Sequence, residues 1–375
     1  MIKKITIVHV GDFLGYPPVI SLIENLLNNA IDVDLISSSD RGNIARKLLN
    51  NPSFGYIQVK LLKAKTPIHK IVNVFKNRKN FQEAVEKSMQ NSDLLWTTTD
   101  LTVKMLGDQL LKYKHVMQLM ELVQRMPLFL RTRFFDFPLS KYAQAAHKVV
   151  VPDMDRAYIQ QAWWDLPNVP TVLPNKPYTI SPLELSEDTK ISLKKIKKEK
   201  RKILLYSGFI GKDRNILDFA EAIEKRDDYC LYILGRISDT DTDFKQDLEN
   251  FSNVEYLGYH TAPSHLEFIK YAHIGLTPYV PIKSDLHPEI NALYCAPNKI
   301  YEYSAFGVPM IGTNVLGLLR PFEQYGIGRC SESMLPESIL KCIEYIEVHH
   351  EEMSQNCYKF FEKDDLDQIV KDIIN

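Results

Sequence analysis

At 375 residues, 45% hydrophobic and 25% charged, the chain is long enough for two globular domains with separate cores, and a single small binding module is excluded. Its 46 basic and 47 acidic residues leave a net charge of −1, so there is no global pull toward nucleic acid or anionic lipid, and any such affinity has to be local. The five cysteines (Cys230, Cys295, Cys330, Cys342, Cys357) form no C-x-x-C pair, have no histidine at zinc spacing and are odd in number, which predicts free thiols in a reducing, cytoplasmic setting.

From the N-terminus, β-branched runs alternate with amphipathic stretches. Strands are predicted at 5–10, 33–37, 94–98, 116–119, 149–151 and 171–173, with helices at 19–28, 102–112, 140–146 and 155–164. His9, Gly11 and Asp12 cut the first apolar run too early for a signal peptide, and no segment approaches ~18 uninterrupted apolar residues. The loop Gly11-Asp12-Phe13-Leu14-Gly15 lacks the G-x-G-x-x-G spacing of a dinucleotide site. Residues 1–180 therefore read as one α/β domain with a parallel sheet, and 181–202 as a polar, basic linker. The alternation restarts with strands at 203–207, 230–234, 254–257, 274–277 and 309–312, and helices near 216–223 and 264–271. Residues 203–360 form the second α/β domain, and the tail reads as helices at 337–348, 353–361 and 366–374. Two Rossmann-like halves in tandem predict a cleft between the C-terminal ends of their strands, where open α/β sheets bind ligands.

The segment from Ala296 to Ile311 carries the strongest chemistry. Asn298 is placed to cap a short helix that Gly307 and Pro309 end. A helix N-terminus stabilises a diphosphate, Lys299 adds a full charge, and Glu302, one turn on, can accept two hydrogen bonds from a ribose diol. The same pair at i,i+3 also describes an ordinary surface ion pair. Upstream, Ser207-Gly208-Phe209-Ile210-Gly211-Lys212-Asp213-Arg214 runs from a strand through two glycines into two cations, which suits a phosphate as well as a solvated turn. Gly235 and Gly258-Tyr259 end later strands, where a nucleobase could lie on Tyr259 or where the tyrosine simply packs. The string from Asp239 to Asp243 admits a metal site, but its Asp and Thr residues suit helix capping better.

These motifs resemble the GT-B glycosyltransferases, especially family four of that class. The resemblance covers the second half through Gly208 to Arg214, Gly258-Tyr259, Leu276-Thr277-Pro278-Tyr279 and Pro297 to Pro309. In the first half it rests on Gly11, Val151-Pro152-Asp153 and Val172-Leu173-Pro174-Asn175. It implies that Lys212 or Arg214 neutralises donor phosphate and that Glu302 binds the ribose hydroxyls at the cleft surface. It also implies that the last helix, 361–375, crosses back to the N-terminal domain, and that neither metal nor further cofactor is needed. The family often has a second glutamate eight residues before the ribose-binding one; here that register holds Tyr294, with Glu289 out of register. Retention or inversion is thus open, as is any role for the loop 284–291. Inversion needs a base, for which Asp12 and Glu121 near strand ends of the first domain are the candidates, each equally readable as a loop carboxylate.

Two basic stretches bear on the acceptor, Lys63 to Lys79 and Lys194 to Lys202; in the first, basic and apolar residues interleave, which suits anionic lipid head groups or lipid-linked sugars as well as a solvated helix face. The expected activity is transfer of a sugar from a nucleoside diphosphate sugar to a carbohydrate or lipid-linked acceptor in surface glycan synthesis, with peripheral membrane contact and no nucleic acid partner. The alternatives are a sugar-nucleotide epimerase or hydrolase of similar fold and a non-catalytic partner subunit.

Overall fold

In the computed structural model, which describes residues 2–63, 66–128, 135–181, 185–211, 213–214, 216–238, 243–282 and 288–375, the first half folds into a seven-stranded sheet. Its strands are β1 (Lys4–His9), β2 (Asp32–Ser37), β3 (Phe54–Gln58), β4 (Leu94–Thr97), β5 (His115–Gln118), β6 (Lys148–Val151) and β7 (Thr171–Val172), all pairing parallel in the order β3-β2-β1-β4-β5-β6-β7. Ile5, Ile7, Val8, Leu94, Leu95 and Trp96 are fully buried, because helices cover both faces of a parallel sheet. The second half repeats the plan with β8 (Lys202–Ser207), β9 (Tyr229–Leu234), β10 (Val254–Tyr256), β11 (Ile274–Thr277), β12 (Met310–Thr313) and β13 (Gly328–Ser331), ordered β10-β9-β8-β11-β12-β13. Both sheets have the Rossmann order 3-2-1-4-5-6, extended by one strand in the first. The order reverses beside β1 and beside β8, and those switch points are where such sheets hold ligands.

The chain divides into two units. Among the described residues the first is built from 2–174, Pro288 and 365–375, the second from 175–282 and 289–364. This corrects the expected boundaries. The stretch 181–202 is not a linker: its described part contains the helix Glu187–Ile196, whose Leu193 and Ile196 are buried in the second core. Its lysines hid that face, since a lysine stem can border a core while its ammonium stays in water.

Six helices matter below: α1 (Pro17–Asn28), α2 (Pro67–Ser88), α3 (Glu187–Ile196), α4 (Asn298–Ser304), α5 (Pro336–Glu362) and α6 (Leu366–Ile374). The two helices expected at 337–348 and 353–361 are one continuous α5, because His349 to Glu352 include no helix breaker. After Asp364 the chain joins the first unit, where α6 lies on α1 and Asp367 Oδ1 accepts from the side-chain amides of Asn25, 2.8 Å, and Asn29, 2.7 Å. Among the described residues no helix is long and apolar enough to cross a membrane. All five cysteines are free.

Candidate functional site

Three glycines line the C-terminal ends of the first strands of the second sheet. Gly208 follows β8 at φ +150°, Gly235 follows β9 at φ +146°, and Gly258 lies beyond β10 at φ +87°. Their backbones interlock: Gly208 N–H donates to Leu234 O and Gly235 N–H to Gly258 O, each 2.9 Å. A methyl group on Gly235 would overlap the Gly208 carbonyl, so the close approach itself requires glycine. Gly208 has a different partner. A side chain there would fall 2.5 Å from the Lys299 ammonium nitrogen and 2.8 Å from its Cε, so the glycine makes room for Lys299.

Lys299 stands in the first turn of α4 and is only 8% exposed. The single hydrogen bond its ammonium makes among the described residues is to the Tyr279 hydroxyl, at 3.5 Å, and the rings of Tyr206 and Tyr279 flank it with centroids 5.1 and 5.5 Å away. Burial, reinforced by the Arg214 charge, lowers its pKa to about 8. Arg214 is mostly buried; its guanidinium packs over the Tyr279 ring at 4.1 Å and pairs with the Asp213 carboxylate, while its Nε has no hydrogen-bond partner among the described residues. Tyr279 follows β11, so two cations and two tyrosines meet at the switch point between β8 and β11. Lys212 lies outside the described residues, as do Asp239 to Thr242 and 283–287.

Glu302 is 4% exposed, which corrects its expected place at a cleft surface. One oxygen, Oε1, lies 3.2 Å from His265 Nε2, so the i,i+3 ion-pair reading with Lys299 fails. No spacing rule pointed to His265. Asn298 is corrected too. It is the first helical residue, Pro297 occupies the cap position, and no side chain caps α4. Asp243 likewise precedes its short helix without a side-chain cap bond. Tyr259 is half exposed beside Gly258, where nothing would crowd a side chain.

Tyr303 anchors α4 to the second sheet. Its hydroxyl donates to Leu205 O at 2.8 Å and accepts from Ser207 N–H at 3.2 Å, which ties the helix to the end of β8. The ring lies flat against Gly275 of β11, where any side chain would overlap it.

In the first unit, Asp12 Oδ1 accepts from Leu14 N–H at 3.3 Å and from the Ser39 hydroxyl at 2.5 Å, capping the turn Phe13–Gly15. Glu121 is half exposed, with Oε2 3.8 Å from the buried Arg156 guanidinium. Sequence reasoning passed over His9, the last residue of β1. Thr98 spends its hydroxyl proton on Val8 O, 3.1 Å, so it accepts from His9 Nδ1–H at 2.9 Å. That leaves the His9 Nε2 lone pair without a partner among the described residues, in an imidazole that burial holds neutral with a pKa of about 4.

No protein-family model matches the chain, and no curated protein matches it by sequence. Solved structures do match. WaaG, a glycosyltransferase involved in lipopolysaccharide biosynthesis, aligns over 98% of both chains at 15% identity and a TM-score of 0.65. Anabaena HepE in complex with UDP-glucose aligns over 99% of this chain and 98% of its own, at 13% identity and a TM-score of 0.69. The UDP-GlcNAc 2-epimerase of Neisseria meningitidis aligns over 99% of both chains at 13% identity and a TM-score of 0.59. At these identities the likeness establishes the fold, two Rossmann-like units of the GT-B class.

Proposed function

We propose that the protein is a metal-independent glycosyltransferase that moves a sugar from a nucleoside diphosphate sugar to a carbohydrate or lipid-linked acceptor, in the making of a surface polysaccharide or glycoconjugate. The observation that carries this reading is the buried Lys299 ammonium, fitted against Gly208 at the β8/β11 switch point, with no carboxylate bonded to it among the described residues. A buried, unpaired cation opposes folding, so its presence at a ligand-binding position argues for a visiting anion. In this reading Lys299 and Arg214 hold the donor diphosphate, with Lys212 a further candidate. As the sugar leaves, charge builds on the bridging diphosphate oxygen, and fixed cations in a site poor in water stabilise it without reorganising. Glu302, one oxygen held by His265, offers the other to the ribose hydroxyls, and Tyr259 stacks on the base beside Gly235 and Gly258. If the reaction inverts configuration, Asp12 or Glu121 would take the acceptor proton.

The test is a thermal-shift series with UDP, GDP, ADP and TDP. A nucleotide at 100 times its Kd should stabilise the protein by about 2.7 kcal/mol. Turnover with the matching sugar nucleotide should survive EDTA. If none of the four moves the melting temperature, the donor site is refuted. The likeness to an epimerase favours one rival, and incubation with donor alone decides it: an epimer or free sugar formed without acceptor would replace transferase by epimerase or hydrolase.

A further inference from the structure

Of the two basic stretches, Lys194 to Lys202 is compensated in part within its own unit. Lys195 pairs with Glu255 at 2.8 Å, Arg201 with Glu199 at 2.8 Å, and Lys202 with Glu347. The other is not. Between residues 41 and 82 the sequence holds ten lysines and arginines and no aspartate or glutamate, in a chain whose net charge is −1.

Helix α2 runs through that stretch and is divided along its length. Its C-terminal half packs into the first core through Asn77, Phe81, Val85 and Ser88, at the i,i+4 and i,i+3 steps of one buried face. Among the described side chains of its N-terminal half, Ile71 is 59%, Val74 61% and Phe75 66% exposed, and Val72 is also exposed. At about 100° per residue these four side chains span roughly 160° of the helix surface. The preceding segment is fastened beside them: Leu62 N–H donates to Asn77 Oδ1 at 2.9 Å, Asn77 Nδ2 returns a bond to Leu62 O at 3.3 Å, and Asn73 Nδ2 donates to Lys63 O at 3.3 Å. This fastening holds Leu61 and Leu62, both exposed, next to the helix. Lys60, Lys63, Lys76 and Lys79 are exposed around the patch, and the first carboxylate along the helix is Glu83, 3.6 Å from Lys79. Arg78 turns the other way, against Gly107.

A solvated helix face carries charges of both signs and few large apolar groups, whereas this one carries cations around an apolar patch. We infer that the N-terminal half of α2, with the segment 60–63 beside it, docks on the surface of an anionic lipid bilayer. The apolar side chains enter the boundary between head groups and acyl chains, and the lysines meet the lipid phosphates. The surface lies in the first unit, so this inference stands apart from the nucleotide site.

The experiment is co-sedimentation of the full chain with vesicles of phosphatidylcholine alone and with about 30% phosphatidylglycerol. Wild type should partition at least about tenfold more strongly onto the anionic vesicles and lose most of that binding in ~0.5 M NaCl. Val74→Glu/Phe75→Glu and Lys76→Glu/Lys79→Glu should each reduce partitioning at least about tenfold, with circular dichroism and nucleotide-induced thermal shift unchanged. Equal binding to both vesicle types, no binding to either, or variants that bind as wild type does would each overturn the inference. So would a dimer in light scattering that Val74→Glu/Phe75→Glu converts to monomer, which would assign the patch to a second copy of the chain.

Discussion

The free energy stored in Lys299 has a definite sign. Burial disfavours its protonated form, so the folded pKa is lowered from 10.5 to about 8. Between those values the unfolded chain holds more protons than the folded one, and stability rises with pH across that window. A bound diphosphate needs the cation and should be released as pH rises through about 8. Lys299→Met keeps the volume and removes the charge. At pH 7 it should raise the stability of the ligand-free protein by about 1–3 kcal/mol, flatten the pH dependence above 8 and abolish the nucleotide-induced thermal shift. A variant less stable than wild type that still responds to nucleotide would sink the assignment. Spacing singled out Lys299 and Glu302, but their partners were not legible. Glu302 bonds His265, 37 positions away, and Lys299 fits against Gly208, reached only through the order of the strands.

At the scale of elements, the strands rich in β-branched residues were legible to within a residue or two, because a buried parallel strand leaves a continuous apolar run. β3 and β13 were missed for a physical reason. Phe54–Gln58 has a glycine at its second position, where a side chain would overlap Asp34, and Gly328–Ser331 contains no β-branched residue; both strands lie toward sheet edges, where burial demands less. The helix α4 was legible from its Pro and Gly punctuation, but its attachment to β8 was not, since nothing in a sequence says that a tyrosine hydroxyl serves two backbone groups. Tyr303→Phe tests that attachment. The loss strands the buried Leu205 carbonyl and Ser207 N–H, and should cost about 1–3 kcal/mol by chemical denaturation. Because Lys299 and Glu302 ride on the same helix, nucleotide affinity should fall as well. Unchanged stability would mean that α4 is held by its apolar contacts alone.

For the whole molecule, the Rossmann strand order occurs twice, and the chain changes unit more than once. That plan was legible as two α/β domains, since each half restarts the same alternation. The exact division was not, because it depends on which core receives Leu193 and Ile196 of α3 and which receives α6. Helix α6 buries Leu366, Val370, Ile373 and Ile374 in the first unit, although it follows the second in sequence. Ending the chain after Asp364 removes those four side chains and the two amide bonds to Asp367. By apolar area alone, at about 1.5–3 kcal/mol for each of the four side chains, this should destabilise the first unit by roughly 6–12 kcal/mol, an upper value because unfolded chains already bury some of that surface. The second unit keeps its own core, so the loss should be local. Hydrogen exchange should quicken at the amides of β1, β4 and β5 while those of β8, β9 and β11 stay protected, and nucleotide should still add protection around Gly208 and Gly235. Uniform loss of protection across both sheets would show instead that the two cores unfold as one cooperative body.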